Sequence, residues 1–187
     1  MATIYNTAAT LDGFLATPDN SLDWLFAVPG GDEAESGIDD FLAGIGAMAM
    51  GSTTYEWVVA HENLLAAPDT WTAWYGDRST WVFTHRELPV VDGADIRFTQ
   101  APVADVHAEL VQAAGDRDIW LMGGGDLVGQ FADAGLLDRL IVTIAPVTLG
   151  EGAPLLPRDI RSERLTLTGT RRVGQFAELT YEVGSPS

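Results

Sequence analysis

The residues best suited to chemistry in this chain are three consecutive glycines, Gly123, Gly124 and Gly125, within IWLMGGGDLVGQF. The apolar run before them is typical of a buried strand, and the amphipathic segment after them is typical of a helix. Glycine allows a ligand to approach the backbone closely, and the unpaired N–H groups of a helix start attract anions. The pattern predicts a phosphate-binding turn, or else a structural turn in which Asp126 caps the helix. Both interpretations stay open on the glycines alone.

Two further corners combine glycine, hydroxyl and basic residues at the ends of predicted strands. In MGSTTYE, a glycine precedes small hydroxyl residues that can bind phosphate oxygens at a helix start. These residues are Gly51, Ser52, Thr53 and Thr54. In VFTHRELP, a strand ends on Thr84, His85 and Arg86, and that arginine is one of only ten in the chain. Each corner alone could be purely structural, but open α/β sheets bind ligands at strand carboxyl ends, and the three together favour a dinucleotide with an additional phosphate.

The apolar patterns that must position these corners alternate between strand and helix. Predicted strands cover residues 2–9, 47–51, 80–85, 96–99, 118–125 and 139–150, and a hairpin turning at Val173–Gly174 closes the chain. Predicted helices cover residues 38–47, 52–65, 103–115 and 126–138, with a loop or broken helix at 66–79. This order predicts a single α/β domain over residues 1–187, with a mostly parallel sheet, helices on both faces and an antiparallel C-terminal hairpin.

Local signals refine three of the predicted helices. The spacing of Ile38, Phe41, Leu42 and Ile45 predicts that these four residues share one helix face. Ser52 or Thr53 is the expected N-cap of the next helix, with Glu56 within reach of a capping box. His107 lies among polar neighbours on a later helix, and we expect it to be exposed to solvent.

Composition excludes several classes of function. The 187 residues include no cysteine and no lysine, which rules out disulfides, thiolate nucleophiles, lysine Schiff bases and a P-loop lysine. A net charge of −17 opposes binding to nucleic acid or to anionic membranes. The three histidines lack metal-ligand spacing, so no metal site is expected. No apolar run is long enough to span a membrane and no signal peptide is visible, so a cytoplasmic location is expected.

Four segments carry a resemblance to a known family. LDGFLATPDNSLDWL, MGSTTYE, VFTHRELP and the long block IWLMGGGDLVGQFADAGLLDRLIVTIAPVTLGEGAPLLP resemble the dihydrofolate reductase-like family. Within it, they are most similar to the C-terminal reductase domain of the riboflavin-biosynthesis deaminase/reductase (RibD) and its stand-alone relatives. The resemblance extends from residue 2 to about residue 183. It implies the dihydrofolate reductase-like three-layer fold, a homodimer, and hydride transfer from NADPH to a small pteridine or aminopyrimidine-type acceptor, linked to riboflavin or folate metabolism.

The resemblance also implies which residues contact the cofactor. The diphosphate would lie against Gly123, Gly124 and Gly125 and the backbone amides of Asp126 and Leu127. A second glycine motif corresponds to Gly51, Ser52, Thr53 and Thr54, but Ser52 stands where the family usually has arginine or lysine, which leaves NADH open beside NADPH. Arg86, flanked by Thr84 and His85, corresponds to the 2′-phosphate contact. Ala8, Leu15 and Ala16 correspond to the wall beside the nicotinamide.

The acceptor site is less defined by this resemblance. Dihydrofolate reductases use a carboxylate on the first helix, for which this chain offers Asp39 and Asp40, with Glu35 just before them. Asp12 and Asp23 are alternatives in the first loop region. The acceptor is expected between residues 12–24 and 39–48, with Trp24 and Phe41 as its side-chain contacts. Trp71, Trp74 and Trp81 fit either an aromatic ligand pocket or, as the simpler interpretation, packing in the core.

Three functions remain in competition at this point. The first is an NAD(P)H-dependent reductase of small heterocycles. The second keeps the cofactor but uses a different acceptor, such as a quinone or a carbonyl compound. The third is a nucleotide-binding module without catalysis, which the departure at Ser52 and the undefined carboxylate both favour.

Overall fold

The computed structural model describes residues 1–30 and 37–186, and its main sheet contains eight strands. The strands are β1 (Thr3–Thr10), β2 (Phe14–Ala16), β3 (Ile45–Gly51), β4 (Ser79–Phe83), β5 (Ile96–Thr99), β6 (Asp118–Gly123), β7 (Arg139–Ala145), β8 (Ala153–Pro154), β9 (Leu165–Val173) and β10 (Phe176–Val183). The helices are α1 (Asp23–Phe26), α2 (Ile38–Ala43), α3 (Ser52–His61), α4 (Asp69–Tyr75), α5 (Val103–Ala114) and α6 (Gly125–Asp133).

The strand order in the main sheet is β5-β4-β3-β6-β1-β7-β10-β9, and β2 pairs separately with β8. The first six of these strands run parallel, while β10 is antiparallel to both β7 and β9. The carboxyl ends of β1, β3, β4 and β6 therefore meet at one edge of the sheet. The predicted mostly parallel sheet with an antiparallel C-terminal hairpin is confirmed.

The central parallel strands β3, β4 and β6 are mostly buried, as is typical of strands covered on both faces. In β3, Ala47 and Ala49 face one apolar cluster with α5 and α6, while Met48 and Met50 face a second cluster with α2, α3 and α4. This alternation follows from the two-residue period of a strand. Helices thus cover both faces of the sheet. Within the described residues, no helix is long and apolar enough to cross a membrane.

Several local predictions were wrong. Ile45 begins β3 and does not belong to the preceding helix, which ends at Ala43. No side chain of Ser52 or Thr53 caps α3, because Gly51 occupies the N-cap position in extended backbone. By contrast, residues 66–79 were predicted to be a loop or broken helix, and the helix α4 at residues 69–75 agrees with the second alternative.

His107 also differs from the prediction, since it is not freely exposed. It lies on α5, which packs against the sheet, and its Nε2 is 2.9 Å from Thr3 Oγ1 on β1. Burial lowers the pKa of His107, and the charge of Asp138 partly opposes that shift. His107 therefore stabilises the contact between helix and sheet.

Candidate functional site

Two helix starts lie side by side at the carboxyl edge of the sheet. Helix α3 begins directly after β3, with Gly51 as its N-cap, and α6 begins directly after β6, with Gly124 as its N-cap. A Cβ built on Gly51 would lie 3.6 Å from the backbone nitrogen of Gly124. No side chain caps either helix. The free N–H groups and positive dipole ends of both helices therefore converge, which favours an anion at this position.

The three glycines of the second corner have different roles. A Cβ on Gly124 would meet nothing within 4 Å, so this residue faces open space. A Cβ on Gly125 would lie 2.4 Å from the carbonyl oxygen of Pro154, so this glycine is required for α6 to pack against β8. Gly123 has a φ of +138°, which favours glycine. Gly124 is thus the position where a ligand can approach the backbone.

Asp126 lies in the first turn of α6, where a carboxylate would compete with a bound anion. Its Oδ1 accepts a hydrogen bond from Arg158 Nη2 at 3.1 Å, and its Oδ2 accepts one from Gln130 Nε2 at 3.1 Å. The bonds from Gln130 and Arg158 lower the pKa of Asp126. Because Arg158 offsets its charge, Asp126 leaves the N–H groups of the helix start available to an anion.

The outer cavity, about 520 Å³ in volume, opens over the two helix starts. Its far wall is the end of β4, where Thr84, His85 and Arg86 line it. The Arg86 guanidinium donates to Glu56 at 2.9 and 2.6 Å and to Ser52 Oγ at 3.1 Å. Thr84 Oγ1 accepts a hydrogen bond from the Arg86 backbone N–H at 2.9 Å, which fixes the turn. The outer cavity therefore presents one guanidinium beside hydroxyl groups.

The central cavity, about 360 Å³ in volume, continues from the outer one and shares Thr53, Gly124 and Asp126 with it. Its walls are mostly apolar and include Leu15 and Trp57. An elongated ligand can therefore extend from Arg86 across the helix starts into an apolar chamber.

The aromatic cavity, about 490 Å³ in volume, adjoins the central one and shares Thr7, Ala8 and Leu25 with it. Five aromatic side chains line it, namely Phe26, Trp74, Tyr75, Trp120 and Phe176. Three further polar or charged residues also line it, namely Asn6, Glu62 and Thr143. Burial raises the pKa of Tyr75 to about 12, and the charge of Glu62 adds to that shift. The phenol of Tyr75 is therefore a hydrogen-bond donor at neutral pH.

A stack of aromatic rings joins the elements around the central and aromatic cavities. The rings of Phe26, Trp57 and His61 all contact one another, with centroid distances of 4.4 Å from His61 to Trp57, 5.1 Å from His61 to Phe26 and 6.2 Å from Phe26 to Trp57. Trp57 lines the central cavity and Phe26 lines the aromatic cavity. The stack therefore holds α1 against α3 where the two cavities meet.

The structure brings together every residue that sequence reasoning assigned to the cofactor. All of them line the outer or the central cavity, and they are Ala8, Leu15, Ala16, Gly51, Ser52, Thr53, Thr54, Thr84, His85, Arg86, Gly123, Gly124, Gly125, Asp126 and Leu127. They come from the ends of β1, β3, β4 and β6 and from strand β2. Their role in binding a cofactor stays a prediction.

The proposed catalytic acids lie elsewhere. Asp12 accepts hydrogen bonds from Thr10 Oγ1 at 2.6 Å and from the backbone N–H groups of Leu149 and Gly150 at 3.0 and 2.7 Å. It therefore holds the loop after β7. Asp39 and Asp40 are exposed on α2, and neither lines any of the three cavities.

The remaining acceptor-site candidates also lie outside the cavity walls. Asp23 is exposed, and Glu35 lies outside the described residues. Trp24 is buried in a small cluster with Phe176, while Phe41 contacts the edge of Trp120 at a centroid distance of 5.4 Å. Trp24 and Phe41 thus pack against aromatic residues that line the cavity, and they do not line it themselves.

Sequence reasoning missed Asn6, Glu62, Tyr75 and Thr143 as lining residues of the aromatic cavity. Thr143 carries a usable signal, because it interrupts the apolar run of β7, whereas Asn6 is one of several polar residues in β1. Glu62 follows the end of α3 and Tyr75 ends α4, and neither position carries a local pattern that indicates a cavity. Within residues 1–30 and 37–186, no group of three or more histidine or acidic side chains forms a metal site.

Comparison with known proteins places this geometry in a family. The model of the family described as RibD C-terminal domain matches residues 2–177. The uncharacterized protein YwjB of Bacillus subtilis (strain 168) is 33% identical over 179 residues, which cover 96% of this chain and 96% of YwjB. The riboflavin biosynthesis protein RibD of Corynebacterium ammoniagenes is 29% identical over 158 residues, which cover 82% of this chain and 45% of that protein.

A solved structure shares the fold. It is the Thermotoga maritima diaminohydroxyphosphoribosylaminopyrimidine deaminase/5-amino-6-(5-phosphoribosylamino)uracil reductase. Its chain superposes with a TM-score of 0.69 at 13% identity, over 97% of this chain and 56% of that one.

Proposed function

This chain belongs to the RibD C-terminal domain family, and from that premise we propose that it is an NADPH-dependent reductase. It would transfer a hydride to a small heterocyclic acceptor of the pteridine or aminopyrimidine type. The outer and central cavities would hold the cofactor, and the aromatic cavity would hold the acceptor. The three are continuous, so a donor and an acceptor bound in them would meet near Ala8.

The residues of the cleft fit the cofactor. A diphosphate needs several N–H donors and no obstructing side chain, and the uncapped starts of α3 and α6 beside the open position at Gly124 provide both. Thr53 and Thr54 add hydroxyl groups next to that position. These groups let a chain with a net charge of −17 bind a polyanion.

The adenosine end would lie in the outer cavity. Arg86 is the guanidinium that lines it, and Ser52 Oγ is 3.1 Å from Arg86 Nη2. A 2′-phosphate would bind to Arg86 and Ser52 together. Arg86 would then supply the positive charge that other members of the family usually have at the position of Ser52. This arrangement supports NADPH over NADH as the preferred cofactor.

Hydride transfer requires that the protein orient the donor and the acceptor and exclude water from the contact between them. When bound, NADPH supplies a hydride to a carbon of the acceptor, and a proton from solvent reaches the adjacent nitrogen or oxygen, which yields NADP⁺ and the reduced acceptor. Leu15 and Ala16 exclude water on one side of the contact, and Leu25 does so where the central and aromatic cavities meet. Trp120 and Tyr75 orient the acceptor ring.

The convergence of Gly51 and Gly124 beneath one continuous cleft carries this proposal. Calorimetric titration with NADPH and NADH tests the cofactor, and absorbance of the reduced nicotinamide during incubation with pterins, aminopyrimidines, quinones and carbonyl compounds tests the acceptor. Cofactor binding with oxidation by a heterocycle supports the proposal. Binding without oxidation by any acceptor would favour a nucleotide-binding module, and no binding at millimolar cofactor would contradict both.

A further inference from the structure

The charge that lines the aromatic cavity is negative. Among its described lining residues, Glu62 is the only one with a charged side chain. The carboxylate of Glu62 is 3.9 Å from His61 Nε2, which is too long for a hydrogen bond, and its charge contributes to the raised pKa of Tyr75. Glu62 and Tyr75 therefore give the wall of the cavity both an acceptor and a donor of hydrogen bonds.

Two arginines lie near the cavity and already have hydrogen-bond partners. The Arg78 guanidinium donates to the backbone oxygens of Leu42, Ile45 and Tyr75. Arg171 lies beside Gly37, but it donates two hydrogen bonds of 2.9 Å to the carboxylate of Glu178. Neither arginine lines the cavity, and the Glu62 carboxylate, which does line it, repels a phosphate dianion.

The walls of the cavity suit a flat ring. Trp120 is fixed because its Nε1 donates to the Asn6 carbonyl oxygen at 3.0 Å, and its ring contacts Phe41 edge to face. Trp74 lies at the rim, with 51% of its surface exposed. Aromatic side chains of this kind bind planar rings by stacking, and a carboxylate at the ring edge accepts hydrogen bonds from neighbouring N–H groups.

Resting on the reductase function proposed above, we infer that the acceptor is an amino-substituted planar heterocycle without a phosphate group, and that Glu62 recognises its N–H edge. A phosphate on the acceptor would meet the Glu62 carboxylate without a paired cation, which is costly. This substrate class differs from the phosphoribosyl-substituted acceptor in the name of the Thermotoga maritima reductase.

Binding of a matched pair of probes tests the inference without turnover. We suggest 6-hydroxymethylpterin and its phosphate monoester, titrated against the wild-type protein with and without NADP⁺ and followed by quenching of tryptophan fluorescence. The pterin is expected to bind at least about tenfold more tightly than its phosphate ester. Glu62→Gln should lower the affinity for the pterin about tenfold. It should also reduce the difference in affinity between the pterin and its phosphate ester, because the amide does not repel the phosphate.

Glu163→Gln serves as the matched control, since Glu163 is exposed and does not line the cavity. If Glu62→Gln unfolds, the two probes on the wild-type protein still decide the question. Equal or tighter binding of the phosphate ester, binding of neither probe, or an unchanged pterin affinity in folded Glu62→Gln would overturn the inference. Failure of NADPH to bind would instead defeat the reductase proposal, because the pterin titration without NADP⁺ reports on the aromatic cavity alone.

Discussion

The Arg86 guanidinium forms a two-point ion pair with the Glu56 carboxylate, in which Nη1 and Nη2 lie 2.9 and 2.6 Å from Oε1 and Oε2. Both side chains are substantially exposed, and Arg86 also lines the outer cavity. A 2′-phosphate that binds Arg86 must therefore compete with a carboxylate already in place. If Arg86 binds the 2′-phosphate as proposed, Glu56 would reduce the contribution of Arg86 to that binding and so would affect the choice between NADPH and NADH.

Glu56→Gln is expected to strengthen NADPH binding by about threefold to fivefold, the range of an exposed charge pair. The affinity for NADH should not change, because NADH lacks the 2′-phosphate. Calorimetric titration of both cofactors measures the difference. Equal gains for the two cofactors, or weaker NADPH binding, would show that Glu56 does not oppose the phosphate.

Arg86→Ala is expected to lower the affinity for NADPH by about tenfold or more, since a charged hydrogen bond to the 2′-phosphate is lost. NADH should lose far less affinity. Arg97→Ala is a suitable control, because Arg97 pairs with Asp95 and does not line the outer cavity. If Arg86→Ala lowered the affinities for NADPH and NADH equally, Arg86 would not be a contact of the 2′-phosphate.

The neighbouring glycines Gly124 and Gly125 should respond differently to substitution. Gly124→Val should abolish cofactor binding and retain the fold, because its φ of −82° and ψ of 177° are accessible to valine and its side chain would enter open space. Gly125→Ala should instead destabilise the protein by about 1–3 kcal/mol, since its Cβ would overlap the carbonyls of Pro154 and Leu155. Thermal unfolding and NADPH titration of both variants separate the two effects. A folded Gly124→Val with unchanged affinity would remove this glycine from the cofactor site.

Asp12 is expected to contribute to stability in a pH-dependent way. Hydrogen bonds from Thr10 and from the Gly150 backbone lower the pKa of Asp12. A lowered pKa in the folded state means that this stabilisation is complete above the unfolded value of about 3.9 and is lost as the pH falls through the folded pKa. Asp12→Asn should therefore lower the Tm at pH 7, and the difference in Tm between this variant and the wild type should become smaller towards pH 3. A difference that is constant with pH would contradict this role.

The alternation of apolar runs was sufficient to predict the sheet, because strands buried on both faces and flanking helices leave strong periodic signals. The corners at Gly51, Arg86 and Gly124 could be placed because chain order in a parallel sheet brings strand carboxyl ends to one edge. Strand β3 begins at Ile45, two residues before the predicted start at residue 47. This difference could not be predicted, since the apolar spacing of Ile45 fits a helix face and a strand equally well.

The aromatic cavity was much harder to predict. Its walls come from eight separate parts of the chain, and Glu62 is one acid among 27 acidic residues, so no local pattern distinguishes it. Asp39 and Asp40 were chosen from the family's helix position and Asp12 as an alternative in the first loop region. The structure places Asp39 and Asp40 on an exposed helix face and Asp12 in a loop contact. Long-range packing decides which of many carboxylates lines a cavity.

A crystal structure of the wild-type protein soaked with NADPH tests the central claim most directly. We expect the diphosphate on the backbone of Gly51–Thr54 and Gly123–Leu127, the 2′-phosphate at Arg86, and the nicotinamide beside Ala8 at the mouth of the aromatic cavity. Density for NADPH at another surface, or an empty cleft at millimolar cofactor, would contradict it.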